Sequence, residues 1–166
     1  MKNKQMSIDD LKDHIVDFLK DSSQGSLATC ADHIPRSSPV RYYLGNNMNI
    51  YILSAGGEKF NTIDRNPKVC LLVNTDYIDF RQIKGVQIFG KAVTSLQKPH
   101  LFNEAQQQCR ELNEKAAQLH DLMVIKVIPE EVVYLNSLGD GDRTKQFLKL
   151  DKVVEESDEY RSTKKL

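Results

Sequence analysis

The chain has 166 residues, and its 23 lysines and arginines are balanced by 23 aspartates and glutamates, for a formal net charge of zero. That length suits one domain with a sizeable core and is short for two. With no global positive field the chain lacks the footprint of a DNA-, RNA- or anionic-membrane-binding protein, so any anion must be held locally by a few placed cations and backbone amides.

Ser7, with Asp10 three places on, forms a helix-capping signal, and Ile8, Leu11, Ile15, Phe18 and Leu19 follow at helical spacing, predicting a first helix over Ser7–Lys20. Asp21–Gly25 breaks it, Ser26–Cys30 is apolar enough for a strand, and Ala31–Pro35 reads as the following turn. Arg36–Leu44 favours extended structure, because Pro39 is excluded from helix interiors while Val40, Tyr42 and Tyr43 are good strand formers. Gly45-Asn-Asn47 tolerates positive φ and marks a tight hairpin into Met48–Ser54. After Gly56-Gly57 a short helix runs from about Glu58 and stops near Asn66, since Pro67 disfavours helical geometry in the residue before it. Val69–Asn74 is a strand, Thr75–Gly85 a connection, and Val86–Leu96 a long strand kinked at Gly90. Leu101, Ala105, Leu112, Ala116 and Leu119 predict the longest helix, from Pro99 to about Leu119. Leu122–Ile128 and Val132–Leu135 are two further strands separated by Pro129, and the segment from Gly139 to Leu166 reads as a charged tail. No internal repeat or interdomain linker is evident, so residues 1–166 are read as one domain with the barrel core over 25–135.

Short strands joined by hairpins, with helices interspersed rather than alternating one for one, argue for a mainly β fold with helices: an antiparallel barrel of six or seven strands. A doubly wound parallel sheet is excluded for the first two strands, because a single turn cannot connect parallel neighbours.

The stretch Met48–Val73 carries the chemistry. A glycine pair that delivers a strand end into a helix start leaves unpaired N–H groups pointing outward, and Lys59 adds a full charge beside them, which makes a phosphate seat. Arg36 and Arg41 lie on the preceding strand. An odd spacing places them on opposite faces, so at most one shares a face with a ligand.

The ordered set Gly-Ser-Leu-Ala-Thr, Ile-Pro-Arg-Ser-Ser-Pro-Val-Arg-Tyr, Ile-Tyr-Ile-Leu-Ser-Ala-Gly-Gly-Glu-Lys, Asn-Pro-Lys-Val-Cys-Leu-Leu and Val-Gln-Ile-Phe-Gly-Lys-Ala-Val resembles the pyridoxamine 5′-phosphate oxidase-like family of FMN-binding split barrels, over roughly Gly25 to Leu96. The resemblance implies a homodimer with FMN at the subunit interface. It places the backbone of Pro39, Val40, Arg41 and Tyr42 along the flavin ring, and Ile52, Leu53 and Ser54 near the ribityl chain and phosphate. Lys59 is then the phosphate-binding lysine, and Gln87 approaches the flavin from the second subunit. Two positions depart from the family pattern. Ser38 and Glu58 stand where basic residues are common, with Arg36 near enough to compensate for Ser38 and Glu58 required to point away from a phosphate. The Arg-and-His substrate signature of the authentic oxidase is not evident.

Cys30, Cys70 and Cys109 are odd in number and lack Cys-x-x-Cys spacing, which speaks against a disulfide framework or zinc knuckle. Cys30 with His33 invites a nucleophile or metal reading, but no further ligand or orienting acid accompanies them; Cys70 is expected in the core. His14, His100 and His120 share no motif, and Gln106-Gln107-Gln108 reads as a solvated face. Tyr42, Tyr43, Tyr51 and Tyr77 offer rings for stacking, against the plainer expectation that strand tyrosines pack on neighbours. The N-terminus carries neither a signal nor a transit pattern, and no apolar run approaches the ~20 residues of a membrane helix, so a reducing, cytoplasmic setting is expected. The leading functional expectation is a flavin-dependent reductase or oxidase acting on a small molecule, with reduced nicotinamide as a candidate donor and no nucleic-acid or membrane partner. A noncatalytic flavin- or haem-binding module and a cofactor-free structural dimer are the alternatives.

Overall fold

The computed structural model describes residues 5–114 and 121–150. The chain begins with α1 (Ile8–Asp21), capped by the Ser7 side chain accepting from the Asp10 N–H. There follow β1 (Gln24–Ala31), β2 (Ile34–Leu44), β3 (Ile50–Ser54), α2 (Glu58–Arg65), β4 (Lys68–Asn74), β5 (Lys84–Thr94), α3 (Leu101–Gln108), α4 (Arg110–Glu114), β6 (Met123–Asn136) and β7 (Lys145–Lys149). The sheet runs β3-β2-β1-β4-β5-β6-β7 with every pairing antiparallel, and β3 also pairs with β6, closing the first six strands into a ring.

The ring is split because β6 serves two partners along one edge. Met123–Val127 pair with β3 and Glu131–Leu135 pair with β7. Between these halves the register against β5 shifts at Phe89/Gly90, leaving Glu130 without an opposite residue. This bulge accommodates Pro129, whose missing N–H would interrupt a regular ladder, so the two strands expected around it are one. Gly90 is required there: a Cβ would sit 2.1 Å from the Ile128 carbonyl oxygen.

Alternation sorts the side chains into a packed interior and an outer face. Ile50, Ile52, Leu71, Ile88 and Ile125 are fully buried inside, and Leu11, Ile15, Phe18 and Leu19 of α1 join the same core. Burial of this kind contributes about 2 kcal/mol per side chain, and it fills the barrel, so a ligand must bind outside it. On the outer face of β3 and β6, a second cluster of Tyr51, Val124, Leu101, Ala105, Cys109 and Leu112 lies beneath α3 and α4. A buried lysine and a half-buried glutamate meet beside it. Lys126 Nζ lies 2.6 Å from Glu104 Oε1, and the Tyr51 hydroxyl donates to the same oxygen at 2.6 Å.

Several expectations are corrected. The helix expected over Pro99–Leu119 is broken at Cys109, which adopts an extended φ of −118°; residues 115–120 lie outside the described part. At the break Gln108 Oε1 accepts from the Asn46 N–H at 3.1 Å and the Cys109 thiol donates to the Leu44 carbonyl, contacts to a distant turn that helical periodicity does not encode. Gln108 is therefore not simply solvated, and α1, at 14 residues, is the longest described helix. The β1–β2 turn is tighter than Ala31–Pro35, with only Asp32 and His33 between the strands, both at positive φ as a type I′ hairpin requires. Cys70 points outward, alternating with the buried Val69, Leu71 and Val73, and is half-buried rather than core. The segment read as a tail contains β7, and residues 151–166 lie outside the described part.

The cysteines also separate chemically. Burial, with the Glu111 charge adding, pushes the Cys109 thiol up to about 11, and burial raises Cys70. Native protein treated with iodoacetamide at pH 8 is expected to leave Cys109 unmodified until denaturant is added. Rapid native labelling at Cys109, read by peptide mapping, would contradict the packing of α3 and α4.

Candidate functional site

The site begins where β3 ends. Ser54 Oγ donates to the Gly56 carbonyl and accepts the Gly56 N–H, closing a turn in which Gly56 and Gly57 have φ of 125° and 107°. These angles are accessible to glycine and strained for other residues, and they leave the turn without side chains. Gly57 is the N-cap of α2, so no side chain caps the helix and its first N–H groups face outward. Lys59 Nζ folds back over this turn, donating to the Gly56 carbonyl at 2.7 Å. Glu58 is exposed, and its carboxylate is directed to Asn61, three residues along the helix.

Beside this turn runs an incomplete edge of β2. On one side Ile34–Arg41 pair with β1 in unbroken register, whereas β3 pairs only with Tyr42–Leu44. Among the described residues, the other edge of β2 from Ile34 to Arg41 therefore has no strand partner. Tyr42 N–H donates toward the β1 side, to Ser23. Odd-numbered residues therefore direct their main-chain groups to the open edge, which offers the N–H of Ser37 and Arg41 and the carbonyl of Pro39. Pro35 and Pro39, at the same parity, lack N–H groups there and blunt the edge against strand addition.

The expected site residues divide accordingly. Val40, Tyr42 and Ile52 point into the barrel; Tyr42 is 2% exposed and its hydroxyl donates to the Leu19 carbonyl, while burial pushes its pKa up. The main-chain groups of Val40 and Tyr42 are turned to the β1 side and Ile52 is paired on both sides, so none of the three lines the open edge, and Tyr42 is not a stacking ring. Tyr51 is buried as well, Tyr43 half-buried, and Tyr77 exposed. Leu53 packs against the cluster beneath α3. Pro39 and Arg41 are exposed on the outer face, where the Arg41 guanidinium lies 6.0 Å from the Tyr43 ring centre. Arg36 and Ser38 have the opposite parity, as the uninterrupted register demands.

Gln87 stands elsewhere. The pairings place Pro39, Ser26, Leu72, Gln87, Val133 and Phe147 in one transverse row across the outer face. Three strand spacings, about 14 Å, separate Pro39 from Gln87. Among the described residues no helix covers this part of the sheet, and Leu72, Phe89 and Phe147 are 37%, 40% and 60% exposed on it.

Cys30 and His33 flank the β1–β2 turn, where the Cys30 carbonyl accepts from Asn66 Nδ2 and Arg65 pairs with Asp32. Among the described residues no group of His, Cys, Asp and Glu is placed to hold a metal ion. Nor is any described helix long and apolar enough to cross a membrane. The Glu104, Lys126 and Tyr51 cluster was not anticipated, because its members are remote in sequence and only the β3–β6 pairing unites them. Arg143 and Lys145, in the segment read as tail, likewise reach the outer face only through β7.

A six-stranded β ring split along β6, with an open strand edge beside a glycine turn and a lysine, defines a split-barrel protein. The family model described as pyridoxamine 5′-phosphate oxidase matches residues 11–136, and the chain belongs to that family. Among curated protein sequences none matches. Similar solved structures include General Stress Protein 26 from Bacillus anthracis, 18% identical over 84% of this chain and 98% of that one, with a TM-score of 0.56. A FAD-binding protein from Mesorhizobium loti is 19% identical over 78% and 92% of the two chains, with a TM-score of 0.53. A heme binding protein from Mycobacterium smegmatis is 16% identical over 80% and 55%, with a TM-score of 0.60.

Proposed function

We propose that this protein is a homodimeric FMN-binding oxidoreductase acting on a small molecule in the cytoplasm, with reduced nicotinamide as the candidate electron donor. The observation that carries the reading is the side-chain-free Gly56-Gly57 turn with the Lys59 ammonium over it and uncapped N–H groups at the start of α2. A phosphate group there would accept from those amides and exchange the Gly56 carbonyl for itself at Lys59. The open edge of β2 supports the second half of the reading, since N–H groups and carbonyls in a fixed row match the polar edge of a flavin ring. Of the two arginines, Arg41 shares the Pro39 face.

FMN, when bound, supplies the hydride or electron chemistry. The chain's own contributions are then positional. Lys59 neutralises phosphate charge, the β2 edge orients the ring, and the packed barrel keeps the site rigid. Gln87, about 14 Å from Pro39 by strand spacing, would reach the same ring from a second protomer. The exposed apolar row through Leu72 and Phe147 is a surface a second copy could cover.

The described histidines supply no haem ligand at this site. Of the described histidines, His14 lies on α1, His33 in the β1–β2 turn and His100 at the start of α3, so none stands on the outer row or the glycine turn. Titrating purified protein with FMN tests the reading. Quenched flavin fluorescence at one FMN per chain, followed by bleaching on adding reduced nicotinamide, is expected. FMN fluorescence left unchanged at tens of micromolar protein would overturn the FMN reading.

A further inference from the structure

The outer face carries a second feature beyond the phosphate turn. One row beyond Leu72, Gln87 and Val133, the pairings align Asn74, Gly85, Leu135 and Lys145. Gly85 contributes no side chain to that row, and a Cβ there would meet Asn74 and the Val73 carbonyl at 3.1 Å. The gap opens a groove of about 290 Å³ with Leu72, Val133 and Leu135 on its floor. Tyr77, from the loop between β4 and β5, forms one wall.

The groove is asymmetric in charge. Arg143 and Lys145 both line it and both are exposed, and among the described residues no carboxylate does. The nearby acidic groups of the same loop are engaged in its own turns. Asp140 accepts the Asp142 N–H, and Asp142 accepts both the N–H and the hydroxyl of Thr144. An apolar floor, a tyrosine wall and two cations at one end select a flat apolar body with a negative group.

We infer that the groove between β4, β5 and β7 is a binding site for a small planar aromatic carboxylate, its ring on the Leu72 and Val133 floor and its carboxylate at Arg143 and Lys145. Because Gln87 lines one side of the groove, such a ligand lies against the ring that the flavin reading brings from the partner, as a substrate of that reading. This last step rests on the proposed function; the ligand class does not.

The full-length protein, with and without FMN, is titrated calorimetrically with 2-naphthoate and with its neutral isostere 2-naphthamide. The expected result is that naphthoate binds at least tenfold more tightly and that Arg143→Ala with Lys145→Ala removes the preference. FMN affinity is expected to be unchanged in the double variant. Equal affinity for the two probes, no naphthoate binding at millimolar concentration, or a preference that survives the double variant would overturn the groove assignment. A protein that binds naphthoate but no FMN upholds the groove and rejects the flavin reading. One that binds FMN but not naphthoate does the reverse. In the FMN-loaded protein naphthoate is expected to shift the flavin absorption band, and an unshifted band would reject the substrate placement.

Discussion

Replacing Lys59 by alanine is expected to weaken FMN binding by about 1.5–3 kcal/mol, or roughly ten- to a hundredfold in Kd, while leaving the fold intact. The ammonium is the charged donor at the glycine turn, and it donates to the local Gly56 carbonyl at 2.7 Å. Exchanging that neutral acceptor for a phosphate adds charge assistance, and the alanine variant forfeits it. The backbone amides of α2 remain, which is why the loss is partial. Riboflavin separates this account from a general disturbance. Wild-type protein is expected to prefer FMN over riboflavin, and Lys59→Ala to lose most of that preference while keeping its riboflavin affinity. FMN binding within twofold of wild type would remove Lys59 from the site. Glu58, exposed and turned toward Asn61, predicts a much smaller effect for Glu58→Gln.

The largest effect on stability is expected at Glu104. Glu104→Ala removes the carboxylate that Lys126 and Tyr51 share and leaves a lysine side chain, 8% exposed, buried without it. Breaking one side of a buried pair costs about 3–5 kcal/mol, and the 23% exposure of Glu104 argues for the lower end, about 3 kcal/mol. Adding Lys126→Met is expected to restore part of the loss, since it removes a buried charge that has lost the Glu104 carboxylate. Chemical denaturation of the two variants gives both numbers, and a loss below about 1 kcal/mol in Glu104→Ala would show that the pair is not what seats α3.

The same carboxylate predicts a pH dependence. Burial alone would raise the Glu104 pKa, but the hydrogen bonds from Lys126 and Tyr51 and the Lys126 charge outweigh it and hold the group below its ordinary 4.5. A depressed folded-state pKa stabilises the native state above the unfolded value, and that stability disappears as pH falls through the folded value. Wild-type protein is therefore expected to lose stability below about pH 4.5 more steeply than Glu104→Gln.

Local signals were legible wherever neighbouring residues decide the structure. The Ser7 cap, the Gly56-Gly57 turn, the stop before Pro67 and the kink at Gly90 all follow from backbone preferences of single residues, and each lies where those preferences put it. The odd spacing of Arg36 and Arg41 likewise fixed their opposite faces, because strand alternation needs only an unbroken register. Signals failed where a distant partner decides. The Cys109 break depends on Leu44 and Asn46, and the continuity of β6 through Pro129 depends on a bulge shared with β5. Strand β7 was missed because a five-residue edge strand that buries only Leu148 has almost no periodicity to read.

By itself, then, the sequence determined an antiparallel barrel with helices, the glycine turn beside Lys59 and the family resemblance, all of which rest on contiguous residues. Only the tertiary structure decided that the barrel interior is full, that β2 keeps an open edge beside the glycine turn, and that Pro39, Leu72, Gln87 and Val133 share one outer row. The physical reason is register. Which side chains become neighbours across a sheet is set by strand pairing over tens of residues, and no local propensity carries that information.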